Sequence, residues 1–180
     1  MTYHLIEEFK LDQETKQQIA DLVQICFPDT KYQGRTYFKQ LPHYRFLAKE
    51  NEKIIAQLGL DYRMMALDGQ PLRIMGIIDL VVSPQHQGKG LGTKLLKELD
   101  NFLKPYAENI DFLFLVADKH KFYENCGYKL VKQKVQWLAM SEHKNYGLQI
   151  GEFNDCLMIK QIGQISWTER TALDMLGYWY

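Results

Sequence analysis

The chain has 180 residues, of which 46% are hydrophobic and 24% charged, with 22 Lys plus Arg balancing 22 Asp plus Glu. That length and balance suit one ordinary globular domain with its own apolar core, and the zero net charge argues against a bulk nucleic-acid binder. Three cysteines, Cys26, Cys126 and Cys156, are widely spaced with no C-x-x-C pair, which argues against a disulfide framework or a zinc site.

No stretch approaches the roughly 18 apolar residues that would span a bilayer, and the first ten residues carry no secretory pattern. A cytoplasmic address without membrane association is therefore expected.

In chain order, the first periodic segment is residues 12–27, where Ile19, Leu22, Val23 and Cys26 form one helical stripe. Asp12 is its expected N-cap and Pro28 its stop. A polar loop follows to about residue 44. Residues 45–49 and 53–65 read as strands around the turn Glu50-Asn51-Glu52, and residues 72–82 as a third strand. The Asp68-Gly69 pair before it suits a tight hairpin, because both turn positions require positive φ. Glycines then open a helix over residues 91–103, with Leu95, Leu96, Leu99, Phe102 and Leu103 on its apolar face. Residues 112–116 are a continuous apolar run, as in a strand buried on both faces. Residues 117–125 read as a short helix ending at Gly127, and residues 128–140 as a further strand. A strand, a glycine loop, a helix and a strand make a crossover, which predicts a parallel pair. The fold class expected is α/β, with a mixed, mostly antiparallel sheet containing one parallel βαβ unit.

The crossover loop reads Gln87-Gly88-Lys89-Gly90-Leu91-Gly92-Thr93 and follows Val82-Ser83-Pro84 after the two residues Gln85-His86. Glycines let the backbone come close to a ligand and aim successive N–H groups into one concavity. A helix N-terminus beside them favours an anion such as pyrophosphate. The P-loop pattern fails, because Lys89 precedes Gly90 rather than Ser or Thr. The dinucleotide pattern fails as well, since Thr93 occupies the third glycine position.

What the loop matches is Q/R-x-x-G-x-G/A, and with its preceding strand it resembles the GNAT N-acetyltransferases. A second block supports the resemblance: residues 112–116, then Lys121-Phe122-Tyr123-Glu124-Asn125-Cys126-Gly127-Tyr128. The likeness covers about residues 5–140 of a single 1–180 domain, leaving residues 141–180 as a C-terminal extension. Within the family, residues 57–82 and the ending at residues 173–180 faintly resemble the aminoglycoside 2'-N-acetyltransferases.

The resemblance implies an acetyl-CoA-dependent N-acetyltransferase that acts on a primary amine by direct attack in a ternary complex, with no metal. It places the cofactor on Leu80, Val81, Val82, Gln87, Gly88, Lys89, Gly90, Leu91, Gly92 and Thr93. Tyr123 becomes the donor that protonates the departing thiolate, and Asp79 a base for the amine or a partner for a loop or substrate ammonium. Where many members carry Asn seven residues before the tyrosine, this chain has Val116. The expected acceptor is a small-molecule amine, with aminoglycoside-like or polyamine-like compounds as candidates beside a protein N-terminus or lysine, and with Asp61, Asp68 and Asp79 as carboxylates for a cationic one. Backbone N–H groups near Val81 or Val82 are expected to meet the oxyanion if the strand splays there. His86 and His120 are either bases or loop residues, and Cys126 is a small hydrophobe rather than a nucleophile. Trp167, Tyr178, Trp179 and Tyr180 pack over the sheet, wall the acceptor site, or form a homodimer contact. Two other readings stand beside the enzyme: a catalytically silent acyl-CoA sensor and a nucleotide-binding module.

Overall fold

Three hairpins organise the antiparallel part of the computed structural model, which describes residues 1–180. The strands are β1 (Thr2–Glu7), β2 (Tyr44–Glu50), β3 (Lys53–Leu67), β4 (Gln70–Val82), β5 (Phe112–Val116), β6 (Lys129–Ser141), β7 (Lys144–Gln161) and β8 (Leu173–Tyr178). The helices are α1 (Gln13–Cys26), α2 (Leu91–Leu103) and α3 (His120–Glu124). Asp68 and Gly69 join β3 to β4 with φ of 53° and 75°, the doubly left-handed turn that Asp-Gly supplies. Asn51-Glu52 and Glu142-His143 adopt the same geometry without a glycine.

The chain divides into two compact units, residues 1–61 with 77–102, and residues 62–76 with 103–180.

In the first unit the strands run in the order β1-β2-β3-β4, with β1 antiparallel to β2 and β2 antiparallel to β3. Asp12 caps α1 as expected, its carboxylate accepting from the Thr15 N–H at 2.7 Å. Ile19, Leu22 and Val23 of that helix pack with Leu11, Tyr32, Leu47, Ile54 and Val81 in one apolar cluster. Leu95, Leu96 and Leu99 on α2 are buried, whereas Phe102 stays exposed with its ring tilted against Phe46.

In the second unit the order is β3-β4-β5-β7-β6-β8. Here β4 and β5 pair in parallel over Ile74–Gly76 and Phe112–Phe114, the pair that the crossover predicts. Residues 141–180, read as an extension, instead supply β7, which lies antiparallel between β5 and β6, and β8, parallel to β6. Of the tail aromatics, Trp167, Trp179 and Tyr180 pack against the core of the sheet. Trp167 packs edge-on against Phe112, and Trp179 lies 4.3 Å from Phe153 between ring centroids.

Gly76 is a close-approach site rather than a turn: a Cβ there would lie 2.0 Å from the Tyr180 hydroxyl oxygen. Gly76→Ala should expel the Tyr180 ring from its place beside Phe114 and Arg63. The expected cost is about 1–3 kcal/mol, as for other overpacked cores. Chemical denaturation of the single variant and of Gly76→Ala with Tyr180→Ala checks this. The cost of the alanine should vanish once the ring has been removed.

Candidate active site

The first unit carries two unusual pieces of backbone, one inside β4 and one just after it. Asp79 lies within the strand at a φ of +50°. A non-glycine residue in the left-handed region is strained by about 1–3 kcal/mol and persists only where its surroundings hold it. Two hydrogen bonds do so here. The Gln57 amide donates to the Asp79 carbonyl at 2.7 Å, and the Tyr32 hydroxyl donates to the Asp79 carboxylate at 2.8 Å.

The left-handed residue is Asp79, two residues before Val81 and three before Val82, where the splay is expected. At those positions the strand end is tied down. The Val82 carbonyl accepts from the Cys26 thiol at 3.3 Å and from the Gln87 amide at 2.9 Å, while the Ser83 N–H donates to the Ile55 carbonyl. Val81 is buried, and Leu80 and Val82 are half-buried.

Desolvation by burial lifts the Asp79 carboxyl above its ordinary pKa, against the Tyr32 hydrogen bond and the charges of Arg45 and Lys39. The same burial raises the Tyr32 hydroxyl, and it lowers the Lys39 ammonium.

Glycine loop geometry follows from its residues. Gln87, Gly88, Lys89 and Gly90 are all exposed, and Gly88 and Gly90 take φ of 72° and 77°. A Cβ built on either glycine would meet no atom within 4 Å, so strain and not crowding makes these positions glycine. The Lys94 N–H donates to the Gly90 carbonyl at 3.0 Å, the first i→i−4 bond of α2. The amides of Leu91, Gly92 and Thr93 precede it and so belong to the unfilled helix N-terminus, which suits an anion. Gln87 and Lys89 are turned to the loop itself. The Gln87 side chain ties it to Val82, and the Lys89 ammonium donates to the Gln85 carbonyl at 2.8 Å.

The other candidates separate. His86 is bound to the Ser83 hydroxyl at 2.7 Å and faces the Glu50 carboxylate of β2 at 3.6 Å, and His120 lies 3.1 Å from the Ala117 carbonyl. Asp61 is buried against His43 at 2.7 Å, and Asp68 is an exposed turn residue of the second unit. In that second unit, Tyr123 packs edge-on between Phe122 and Tyr128. Burial, with Cys126 and the Asp118 carboxylate nearby, pushes its hydroxyl up to about 12. A cavity of about 610 Å³ in the first unit is lined by Glu8, Thr36, Tyr37, Pro42 and Tyr44, and by neither Asp79 nor the glycine loop.

Tyr32, Lys39, Arg45 and Gln57 are the residues that sequence reasoning missed. Tyr32 and Lys39 lie in a loop without periodicity. Arg45 and Gln57 gave a usable signal, since each is a polar side chain inside an apolar strand run.

A mixed sheet whose parallel β4–β5 pair is joined by a crossover that opens on a glycine loop fits the acyl-CoA N-acyltransferase fold. Residues 9–131 match the family described as "Acetyltransferase (GNAT) domain". The chain belongs to this family and is a GNAT-type acyltransferase. Among solved structures, it is similar to a GCN5-related N-acetyltransferase from Anabaena variabilis, at 18% identity and a TM-score of 0.61. That match covers 74% of this chain and only 33%, about a third, of the Anabaena protein. It is also similar to Escherichia coli ElaA, at 15% identity and a TM-score of 0.61, over 89% of this chain and 99% of ElaA. A third match is a Brucella melitensis GNAT acetyltransferase in complex with acetyl-CoA, at 14% identity, a TM-score of 0.58 and 95% of both chains. A search of curated proteins finds no match. No helix is long and apolar enough to cross a membrane.

Proposed function

We propose that the protein transfers the acetyl group of acetyl-CoA to a primary amine, with the pyrophosphate held by the amides of residues 88–93 and Asp79 as the general base. The observation that carries this reading is the strained backbone at Asp79, on the strand that runs directly into the glycine loop. The loop fits the group: a Cβ on Gly88 or Gly90 would meet no atom within 4 Å, and the loop leads into a helix start, where the first amides lack intrahelical partners. Gln87 and Lys89 shape the loop, and Leu80, Val81 and Val82 form the strand along which the pantetheine arm would pair. The proposed acceptor is a small amine, and the proposed compartment is the cytoplasm.

The amine must lose a proton before or as its nitrogen attacks the thioester carbonyl. Asp79 takes that proton, directly or through one water. The tetrahedral intermediate then collapses, the C–S bond breaks, and the sulfur leaves as a thiolate of ordinary pKa about 8.5. Tyr123 keeps, as part of the proposal, the donor role that its family position implies. With its pKa raised to about 12, it stays protonated across the physiological range. It therefore acts chiefly by donating a hydrogen bond to the developing thiolate, since full transfer is uphill.

The pH dependence has a definite sign. Asp79 works only when ionised, so kcat should climb about tenfold per pH unit below its raised pKa and level off above it. Stability runs the other way. The folded state holds this proton more tightly than the unfolded one, whose pKa is about 3.9. The contribution is full below that value and is lost as pH rises through the folded pKa.

An amine panel scored by thiol release, followed by a pH profile on the best acceptor, tests the reading. Asp79→Asn should lower kcat about 10²- to 10⁴-fold and abolish the acid limb. Binding of acetyl-CoA with no turnover of any amine would point instead to an acyl-CoA sensor.

A further inference from the structure

Arg45 is a fully buried guanidinium, and Gln57 is equally buried between Ala56 and Leu58 on β3. Both positions would ordinarily be apolar, because a buried polar group is costly unless it is hydrogen-bonded. Their partners form one chain of contacts. Arg45 Nε donates to the Glu8 carboxylate at 2.6 Å, and Nη2 donates to the Thr36 carbonyl at 2.7 Å. The Thr36 hydroxyl donates to the other Glu8 oxygen at 3.0 Å. Arg45 Nη1 then donates to Gln57 Oε1 at 3.1 Å, and Gln57 Nε2 donates to the Asp79 carbonyl at 2.7 Å.

The direction of that last bond follows from donor and acceptor counts. A guanidinium has donors and no acceptor, so Gln57 must present its oxygen to Arg45. Its NH₂ group is then left facing Asp79. A reversed amide would set NH₂ against guanidinium and oxygen against the Asp79 carbonyl, two repulsive contacts in a dry interior. Arg45, itself fixed by Glu8 and Thr36, thus decides which way Gln57 points, and Gln57 decides what the strained peptide meets. Without that donor the peptide of the left-handed residue loses its clamp, and only the Tyr32 hydroxyl still holds the side chain. The strand can then relax toward extended geometry, where a side chain exchanges one face of the sheet for the other.

We propose that Gln57 is a positioning residue for acyl transfer: its amide, oriented by Arg45, clamps the Asp79 carbonyl and so holds the backbone turn that aims the Asp79 carboxylate. This rests on the reading of Asp79 as the base. The titratable groups that face Asp79 are Tyr32 and Lys39 of the loop before β2, and Arg45 on β2.

Two variants of the full chain test it. Gln57→Leu removes both bonds and leaves Arg45 short of an acceptor. Gln57→Glu keeps an acceptor for Arg45 but cannot donate to Asp79, so it retains the fold where leucine does not. Nuclear magnetic resonance of the ligand-free protein reads the clamp directly. In Gln57→Glu the Asp79 Cα and Cβ shifts should leave left-handed values for extended ones. On the amine found by the panel, kcat should fall about 10²-fold, the usual penalty for a small misplacement of a reacting group, while the KM for acetyl-CoA stays within twofold. Wild-type Asp79 shifts in Gln57→Glu, or an unchanged kcat with altered shifts, would overturn the proposal. If Asp79→Asn turns over as fast as the wild type, the base reading fails and takes the catalytic half of the proposal with it. Altered Asp79 shifts in Gln57→Glu would then show that the clamp itself was correctly read.

Discussion

Acetyl-CoA at a hundred times its dissociation constant should stabilise the wild-type protein by about 2.7 kcal/mol, and Gly90→Val should lose that stabilisation entirely. The valine has two separable effects. Gly90 has a φ of 77°, a conformation that a β-branched residue strains to enter, so the variant should be less stable on its own account. That loss says nothing about binding. The second effect concerns the ligand. The Cβ direction at Gly90 is open, with no protein atom within 4 Å, so an isopropyl group would stand in the space where a diphosphate approaches the amides. The quantity to read is therefore the difference between melts with and without acetyl-CoA within each variant. Gly90→Ala should retain part of the shift, because a methyl group blocks less. A full ligand shift in Gly90→Val would place the diphosphate elsewhere.

Arg45→Met should destabilise the protein by about 3–5 kcal/mol, the usual result of breaking a buried ion pair from one side. Glu8 is nearly as buried as Arg45, and without the guanidinium its carboxylate keeps only the Thr36 hydroxyl among the contacts described. Removing both charges is a different experiment. Arg45→Met with Glu8→Leu leaves no stranded charge, and buried pairs replaced by apolar groups of similar size are often neutral. The double variant should therefore be more stable than Arg45→Met alone, a coupling that urea denaturation measures. It should still be a poor enzyme, because nothing then orients Gln57. A cost under about 1 kcal/mol for Arg45→Met would mean that water reaches Glu8 and that the network is looser than its distances imply.

Legibility in the sequence followed physical type. The glycine loop could be read because its chemistry demands a rare composition: positive φ at Gly88 and Gly90, then a helix start. Asp12 and Asp68-Gly69 were legible for the same local reason. The turns at Asn51-Glu52 and Glu142-His143 adopt like geometry without a glycine, so they left weaker marks. Strands β7 and β8 escaped notice on different grounds. The outer part of β7 exposes Tyr146, Leu148 and Ile150 and shows no clean inside and outside, and β8 gains its place only by pairing with β6 and β3. Asp79 itself was singled out from its place on the strand. Its partners were not, because Glu8, Tyr32, Thr36, Arg45 and Gln57 meet it or one another only through long-range folding. Periodicity reports which face a residue occupies. It does not report that two polar side chains on buried faces will find each other.

Titration of ¹⁵N-labelled protein with acetyl-CoA shows whether the glycine loop holds the pyrophosphate, because it reads the loop amides one by one. The account predicts the largest shifts at the amides of residues 88–93, saturating together, with ATP at equal concentration producing far smaller changes. Amides that stay in place while the protein binds acetyl-CoA, or that respond as strongly to ATP, would contradict it.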